Sequence, residues 1–383
     1  MDLNVFKVPI GFLKFCGIWI PKDSSQIYKI YAYFMQILFL YIWSLMMGAA
    51  VFYQKNLIDL SSALTFFFTY FVCVIKCVNL IFKIDKFLLL IEDVKKAIKD
   101  YGLTEIYIEK HLSFGKKLFL AYWMPVVVTV GIGAIKPYII LKISYQMWFP
   151  YDPSIENSVF LFYLSATYQS VETLLYSTAN VMIDTVSFIV MVYLVAMLEH
   201  LCDKLENLKR HKLINLDGSI NKKKKIDNYK ELLKCVNYQR TIEKLVRETE
   251  RIFSKVIAVQ GSFMAIILCP VIYALSIMTF PDDFMAMLTF FTYTMAMISQ
   301  ISIPCYYGAK ISFAFDEISY SAFYSDWFYE DQKYRKDFKF VMQNATRQFK
   351  LTAFGLYKIN LQTFGKVLNM AYSLYAVVKR VNK

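Results

Sequence analysis

Runs of membrane-crossing length without a single charge alternate along the chain with lysine-rich stretches. Residues 30–54, 60–75, 118–135, 256–280 and 284–309 contain no Asp, Glu, Lys or Arg. A transmembrane helix needs about 20 consecutive apolar residues, so each window is read as a span or most of one. Residues 172–198 form a further span interrupted by Asp184, and residues 351–381 form the last. Seven helices use most of the chain. The pattern predicts an all-α integral membrane protein with no separate soluble domain.

Between the spans the period of the pattern changes. Ile84, Leu88, Ile91 and Val94 recur at helical spacing after span 2. Leu194, Leu198, Leu201, Leu205 and Leu208 carry an apolar seam out of span 4. Ile242, Leu245, Ile252, Phe253 and Val256 lead into span 5, and Phe338, Val341, Ala345 and Phe349 follow span 6. Apolar stripes outside a bilayer need partners, in the same subunit or another, and predict a helical assembly region. A polar linker at 211–227 carries Lys222–Lys225, read as a solvated loop near anionic headgroups. The expected divisions are 1–198 (N-terminal segment and spans 1–4, the ligand-binding bundle), 199–255 (helical loop), 256–309 (spans 5 and 6), 310–350 (anchor segment) and 351–383 (span 7). The N-terminal stretch VPIGFLKFCGIWIP, residues 8–21, mixes aromatics with an isolated lysine and is expected at the membrane surface. It offers no cleavable signal.

Composition sharpens the class. The 383 residues are 57% hydrophobic and only 19% charged, against roughly 25% charged in soluble domains. Roughly 34 of the 43 Lys and Arg fall on the N-terminal segment and the 2–3, 4–5 and 6–7 loops. The positive-inside rule therefore predicts a cytoplasmic N-terminus and an extracellular C-terminus. No cysteine falls in an expected outer loop, so no extracellular disulfide is available. Cys73 and Cys77, four apart, are read as packing rather than as a metal pair. The sequon at Asn344 falls on the cytoplasmic side and is expected to stay unmodified.

Candidate chemistry is sparse. There is no phosphate-binding glycine loop, no paired catalytic carboxylate and no metal-spaced His/Cys cluster. No internal repeat of the transporter kind is visible. No enzyme, cofactor or nucleic-acid partner is expected, which leaves a receptor or a channel. Pro125, Gly131, Gly133 and Pro137 break span 3 in a way that shapes cavities. The long 3–4 loop, with Trp148, Pro150 and Pro153, can fold over a mouth between the spans, and Pro281-Asp282-Asp283 makes a tight turn between spans 5 and 6. Phe67, Phe71, Tyr176, Asn180 and Tyr293 are predicted to converge on a ligand pocket, aromatic walls giving area and a few polar groups orientation. Asp184 is read as a structural partner inside the bundle. In span 7, Lys358, Gln362 and Lys366 fit either snorkelling or a water-filled path.

These stretches resemble the insect odorant receptors. The resemblance is carried by AFYSDWF at 322–328, LTAFGL at 351–356, TFGKVL at 363–368 and Ala371-Tyr372-Ser373. LEHLCDKL at 198–205, CVNYQR at 235–240 and ERIF at 250–253 add to it. The 4–5 loop is too short for the family's shared co-receptor, so the chain is similar to a ligand-tuned subunit. The resemblance implies a tetrameric, ligand-gated, non-selective cation channel assembled with that co-receptor in the plasma membrane of a sensory dendrite, gated by a small volatile odorant. It further implies a pore lined by span 7, with Val377 and Val381 at the gate and Arg380 between them. Two other readings stay open: an inverted seven-helix receptor signalling through a cytoplasmic partner, and a gustatory-receptor-like homomeric channel.

Overall fold

Helix α6 (Val159–Glu206) is the axis of the molecule, and the other long helices are packed around it. Every residue from Val181 to Leu198 is buried. A helix apolar on all sides must be covered all round, and here protein does the covering. The computed structural model describes residues 4–54, 57–145, 147–208, 222–278, 284–345 and 350–381. In chain order the other helices are α1 (Lys7–Phe15), α2 (Gln26–Met35), α3 (Ile42–Tyr53), α4 (Leu57–Tyr101), α5 (Glu105–Ile140), α7 (Lys222–Ile277), α8 (Phe284–Phe323), α9 (Gln332–Ala345) and α10 (Leu361–Val381). A π-helical turn, Gln36–Tyr41, joins α2 to α3. Six helices among the described residues are long and apolar enough to cross a membrane. Helix α10, at 21 residues, has spanning length but carries polar positions throughout.

Helices α4, α6, α7 and α8 run on past their apolar stretches as amphipathic rods at one end of the bundle, the extension end. The helices pass unbroken through 198–199, 255–256 and 309–310, where the sequence suggested divisions. The stripes seen in the sequence close largely on one another. Leu198, Leu201 and Leu205 of α6, Ile242, Leu245 and Ile252 of α7, and Ile84, Phe87 and Val94 of α4 share one buried cluster. Phe338 of α9 joins Leu232 and Ala322 in a smaller one. All of these partners lie within the same chain.

The N-terminal segment packs one face into the bundle: Leu13, Cys16, Ile18 and Trp19 are buried, with Trp19 meeting Phe87 edge-on at 5.7 Å, while Val8 and Phe15 stay exposed. Polar backbone carried so far inside needs partners. Gln36 Nε2 donates to the Gly17 carbonyl at 2.6 Å, and Tyr176 Oη donates to the carbonyls of Cys16 and Met35. Gly17 has φ +71°, and a Cβ there would meet the Ala32 backbone at 2.8 Å, so only glycine fits. Span 7 begins ten residues later than the hydropathy suggested. Residues 351–358 form a two-stranded hairpin, with Thr352 opposite Lys358 and Ala353 opposite Tyr357. Phe354 and Gly355 take the left-handed conformation that a hairpin turn demands. The hairpin is held to α7 by Thr352 on Glu250 and by Tyr357 Oη on the Ile257 carbonyl.

Lys55, the Pro281-Asp282-Asp283 turn, most of the 211–227 linker, Thr346 and Phe349 lie outside the described residues, as do the side chains of Asn344 and Ala345. All seven cysteines are free and buried, and no group of His, Cys, Asp and Glu suited to a metal occurs among the described residues.

The extension end contains two buried histidines with a consequence for pH. His111 Nε2 lies 2.7 Å from Glu199 while Lys310 Nζ lies 3.4 Å from Nδ1. An ammonium can only donate, so the imidazole is neutral, accepting at Nδ1 and donating from Nε2. Burial is the main cause that pulls the His111 pKa below its ordinary 6.5, against the pull of Glu199. His200, beside Tyr238 and the Tyr107 ring, is lowered to about 4, by burial first and by Lys204 second, with Asp203 opposing. The unfolded chain takes up these protons near pH 6.5 and the folded chain at lower pH, near 4 for His200. Stability is therefore full above 6.5 and lost as pH falls below it, for His200 by up to about 1.4 kcal/mol per pH unit until about pH 4. Thermal melting in detergent should show that slope, and His200→Phe should flatten part of it.

Candidate functional site

A cavity of about 70 Å³ lies between α4, α5, α6 and α8, in the half of the bundle away from the extension end. Each helix presents one stripe to it at helical spacing. The stripes are Phe66, Thr69 and Tyr70 of α4; Tyr122, Val126, Thr129 and Val130 of α5; Thr173, Ser177, Asn180 and Val181 of α6; and Tyr293, Ala296 and Met297 of α8. Tyr145, from the loop after α5, covers it and packs edge-on against Phe66 at 5.0 Å. Gln169 fixes that loop by bonding both the amide and the carbonyl of Tyr145. At Gly133 a Cβ would lie 2.1 Å from Tyr145 Oη, so the glycine in α5 is what lets the loop sit down.

The lining is mixed. Aromatic faces supply area, and hydroxyls pair across helices: Thr69 with Tyr293, and Thr129 with Thr292 at 2.7 Å. Asn180 Oδ1 is buried without a hydrogen-bond partner among the described residues. An amide acceptor left so in a mostly apolar wall offers a ligand donor a single orienting contact. Just outside the wall Tyr70 Oη donates to the buried Glu172 at 2.9 Å.

Beyond the cavity, and joined to it through Tyr122, lies a buried ion pair. Lys76 Nζ of α4 donates to both carboxylate oxygens of Asp184 at 2.8 Å. Tyr122 Oη of α5 and Gln300 Nε2 of α8 donate to Asp184 Oδ2 at 3.0 and 2.9 Å. One carboxylate on α6 thus joins four helices, and Tyr122 belongs both to it and to the cavity. Asp184 is the structural partner that its position suggested.

Of the five pocket residues singled out in the sequence, the structure brings Asn180 and Tyr293 together. The other three lie elsewhere. Phe67 and Phe71 occupy the opposite stripe of the same aromatic block, their rings tilted 6.2 Å apart, and Phe71 meets Phe263 of α7 at 5.5 Å. Tyr176, one position off the Thr173–Ser177–Asn180 stripe, pins the N-terminal segment instead. The signal that could have separated the two faces of α4 was polarity: Thr69 and Tyr70 carry hydroxyls on the inward face, whereas Phe67 and Phe71 have none.

A second arrangement concerns α10. Its Phe364, Val367, Leu368, Ala371 and Leu374 pack on the core, and its outward stripe is Gln362, Lys366, Asn369, Ser373, Val377 and Arg380. Those positions are spaced four, three, four, four and three apart and trace one helix face. Val377 stands out there as an apolar side chain 59% exposed among polar ones. Val381 ends the helix, but its side chain lies outside the described residues.

A family model described as 7tm Odorant receptor matches residues 56–372. The chain is 23% identical to Odorant receptor Or1 of Anopheles gambiae, over 96% of this chain and 93% of that protein. It is 22% identical to Odorant receptor 59a of Drosophila melanogaster, over 94% and 93%. Its fold is similar to the insect olfactory receptor OR5 from Machilis hrabei in complex with eugenol, with TM-score 0.81 and 14% identity over 99% of this chain and 98% of that one. A second structure of OR5 from Machilis hrabei gives a TM-score of 0.82 and 15% identity over the same shares of the two chains.

Proposed function

As this chain belongs to the 7tm odorant receptor family, we propose that it is the odorant-tuned subunit of a ligand-gated, non-selective cation channel. Its named relatives are odorant receptors rather than enzymes, and its spanning helices make it a membrane protein. The observation that carries the finer reading is the pairing of an aromatic cavity with a few polar groups and a polar α10 face that nothing among the described residues covers. The small volatile ligand enters the cavity below Tyr145. The resting space is smaller than the roughly 300–1,000 Å³ that most ligands fill, so binding displaces side chains. Displacement is what allows a ligand to favour one state over another, because only differential affinity shifts an equilibrium.

The α10 stripe is the pore face in this reading. Gln362, Lys366, Asn369 and Ser373 face water, and Val377 with Val381 forms an apolar constriction that stops ions by excluding water. Arg380 from every subunit would repel cations at the mouth, whereas one arginine among the amides of a co-receptor is tolerated. This favours assembly with the co-receptor over a homomer. The partner surface is an aromatic patch at the extension end, where Tyr320, Tyr324, Phe328 and Phe340 are exposed outside the apolar part of the bundle. The protein then sits in the plasma membrane of a sensory dendrite, N-terminus inside. An epitope tag at the N-terminus should be inaccessible on intact cells and one after the C-terminus accessible; the reverse would sink the pore assignment.

Patch-clamp recording with the co-receptor and without G proteins tests the function itself. Odorant-evoked current under those conditions is expected, and its absence would favour a receptor that signals through a cytoplasmic partner. In the same recordings Val377→Ser should raise basal current and Arg380→Gln should raise cation conductance. If both leave the current unchanged, this end of α10 is not the gate.

A further inference from the structure

A second cavity, of about 270 Å³, lies on the other side of the Lys76–Asp184 layer, toward the extension end. It shares α5, α6 and α8 with the first. On α8 the order is Tyr293 and Met297 at one cavity, Gln300 in the polar layer, then Ile303 and Tyr307 at the second. The N-terminal segment closes its side with Val5, Val8 and Pro9. The two spaces differ in chemistry. The first is rimmed with hydroxyls and an amide; the second is walled almost wholly by aliphatic and phenyl groups such as Met182, Phe188 and Ile189.

Three polar side chains break that wall: Thr185, whose hydroxyl donates to the Val181 carbonyl, and Lys116 and Tyr307, which approach it from α5 and α8. Lys116 of α5 lines the cavity, is exposed, and makes no hydrogen bond or ion pair among the described residues. Its neighbour Gly115 lies against the Tyr307 hydroxyl, since a Cβ there would be 3.3 Å from Tyr307 Oη. That hydroxyl has no hydrogen-bond partner among the described residues, and Tyr307 is only 1% exposed. A buried donor left unmade is costly, and a structure keeps one where something else completes it. An apolar chamber with an ammonium and an orphan hydroxyl at one level is complementary to an amphiphile with a single chain and an anionic oxygen head.

We propose that this cavity is a lipid site that takes a long-chain fatty acid from the bordering membrane leaflet. The carboxylate pairs with Lys116 and accepts from Tyr307, while the chain runs along Phe119, Met182 and Ile189. A two-chain lipid fits less well, because the wall encloses one space and offers one cation. The site is separate from the odorant cavity, and the proposal stands whether or not that cavity binds odorants.

The test uses the purified full-length chain and palmitic acid bearing a diazirine near its chain end. Irradiation should place adducts on the cavity wall, at Pro9, Met182 or Ile189. Tyr307→Phe keeps the shape and folding of the wall and should cut labelling at limiting probe by roughly tenfold. Lys116→Gln should cut it by about threefold, since its ion pair is partly solvated. The methyl ester of the same probe, lacking the charge, should label roughly tenfold less than the acid. Adducts spread over the outer faces of the helices would overturn the site. Equal labelling by acid and ester, or labelling indifferent to Tyr307→Phe, would overturn the head-group recognition on which the assignment rests.

Discussion

Lys76→Met is expected to destabilise the protein by about 3–5 kcal/mol, the cost of leaving one partner of a buried ion pair alone. The pair is fully enclosed: the Lys76 side chain is 0% exposed and that of Asp184 only 8%. With the ammonium gone, Asp184 keeps Tyr122 and Gln300 as donors. Two neutral hydrogen bonds do not replace a counter-charge, and no bulk water reaches this depth. Asp184→Leu should be nearly as harmful for the mirror reason, with Lys76 stranded. The double substitution Lys76→Met, Asp184→Leu should recover much of the loss, because buried pairs replaced by packed apolar groups are often neutral. Thermal unfolding in detergent of the two single variants and the double gives the coupling directly. Additive losses would show that the two residues do not act as a pair.

That pair also marks the limit of what the chain revealed before folding. Asp184 was visible as a charge within a span and legible as an internal hydrogen-bond partner, and Lys76 directly follows the charge-free window 60–75. Their meeting was not, because 108 residues separate them and nothing local encodes which face of α4 turns to α6. The spans were legible for a physical reason: a charge-free run has few alternatives to a helix in lipid. The amphipathic continuations were legible by their period, as Leu198, Leu201 and Leu205 show. Hydropathy failed where apolar residues build something other than a helix. In LTAFGL the left-handed Phe354 and Gly355 and the bonds to Glu250 and Ile257 make a hairpin. Glycine after an aromatic was the available sign. The central role of α6 was in plain view as well, since 181–198 is apolar on every face apart from Asp184 and a few hydroxyls.

Two of the residues expected at a ligand pocket, Asn180 and Tyr293, line the cavity between α4, α5, α6 and α8, and that cavity carries the sharpest functional expectation. Ala296 is 3% exposed and faces a space of about 70 Å³. Ala296→Leu fills most of that space from α8, an overpacking that costs typically 1–3 kcal/mol and leaves the fold intact. Odorant potency should fall by roughly a hundredfold or more, because the ligand must now displace a branched side chain as well as the resting walls. Phe71→Ala, on the opposite stripe of α4, should leave potency nearly unchanged. Tyr122→Phe separates binding from opening. It preserves the ring against the ligand but removes the donor to Asp184, the one side chain shared by the cavity and the polar layer. A hydrogen bond to a charged group contributes about 1.5–3 kcal/mol, so its loss can change the ratio of open to closed by tenfold or more. Maximal current relative to basal current should drop in Tyr122→Phe, while direct ligand binding stays close to that of the parent. Concentration–response recordings alongside a binding assay on purified protein distinguish the cases. If Tyr122→Phe lowers affinity and leaves maximal current intact, the tyrosine acts only as wall, and opening reaches α10 by a route that avoids Asp184.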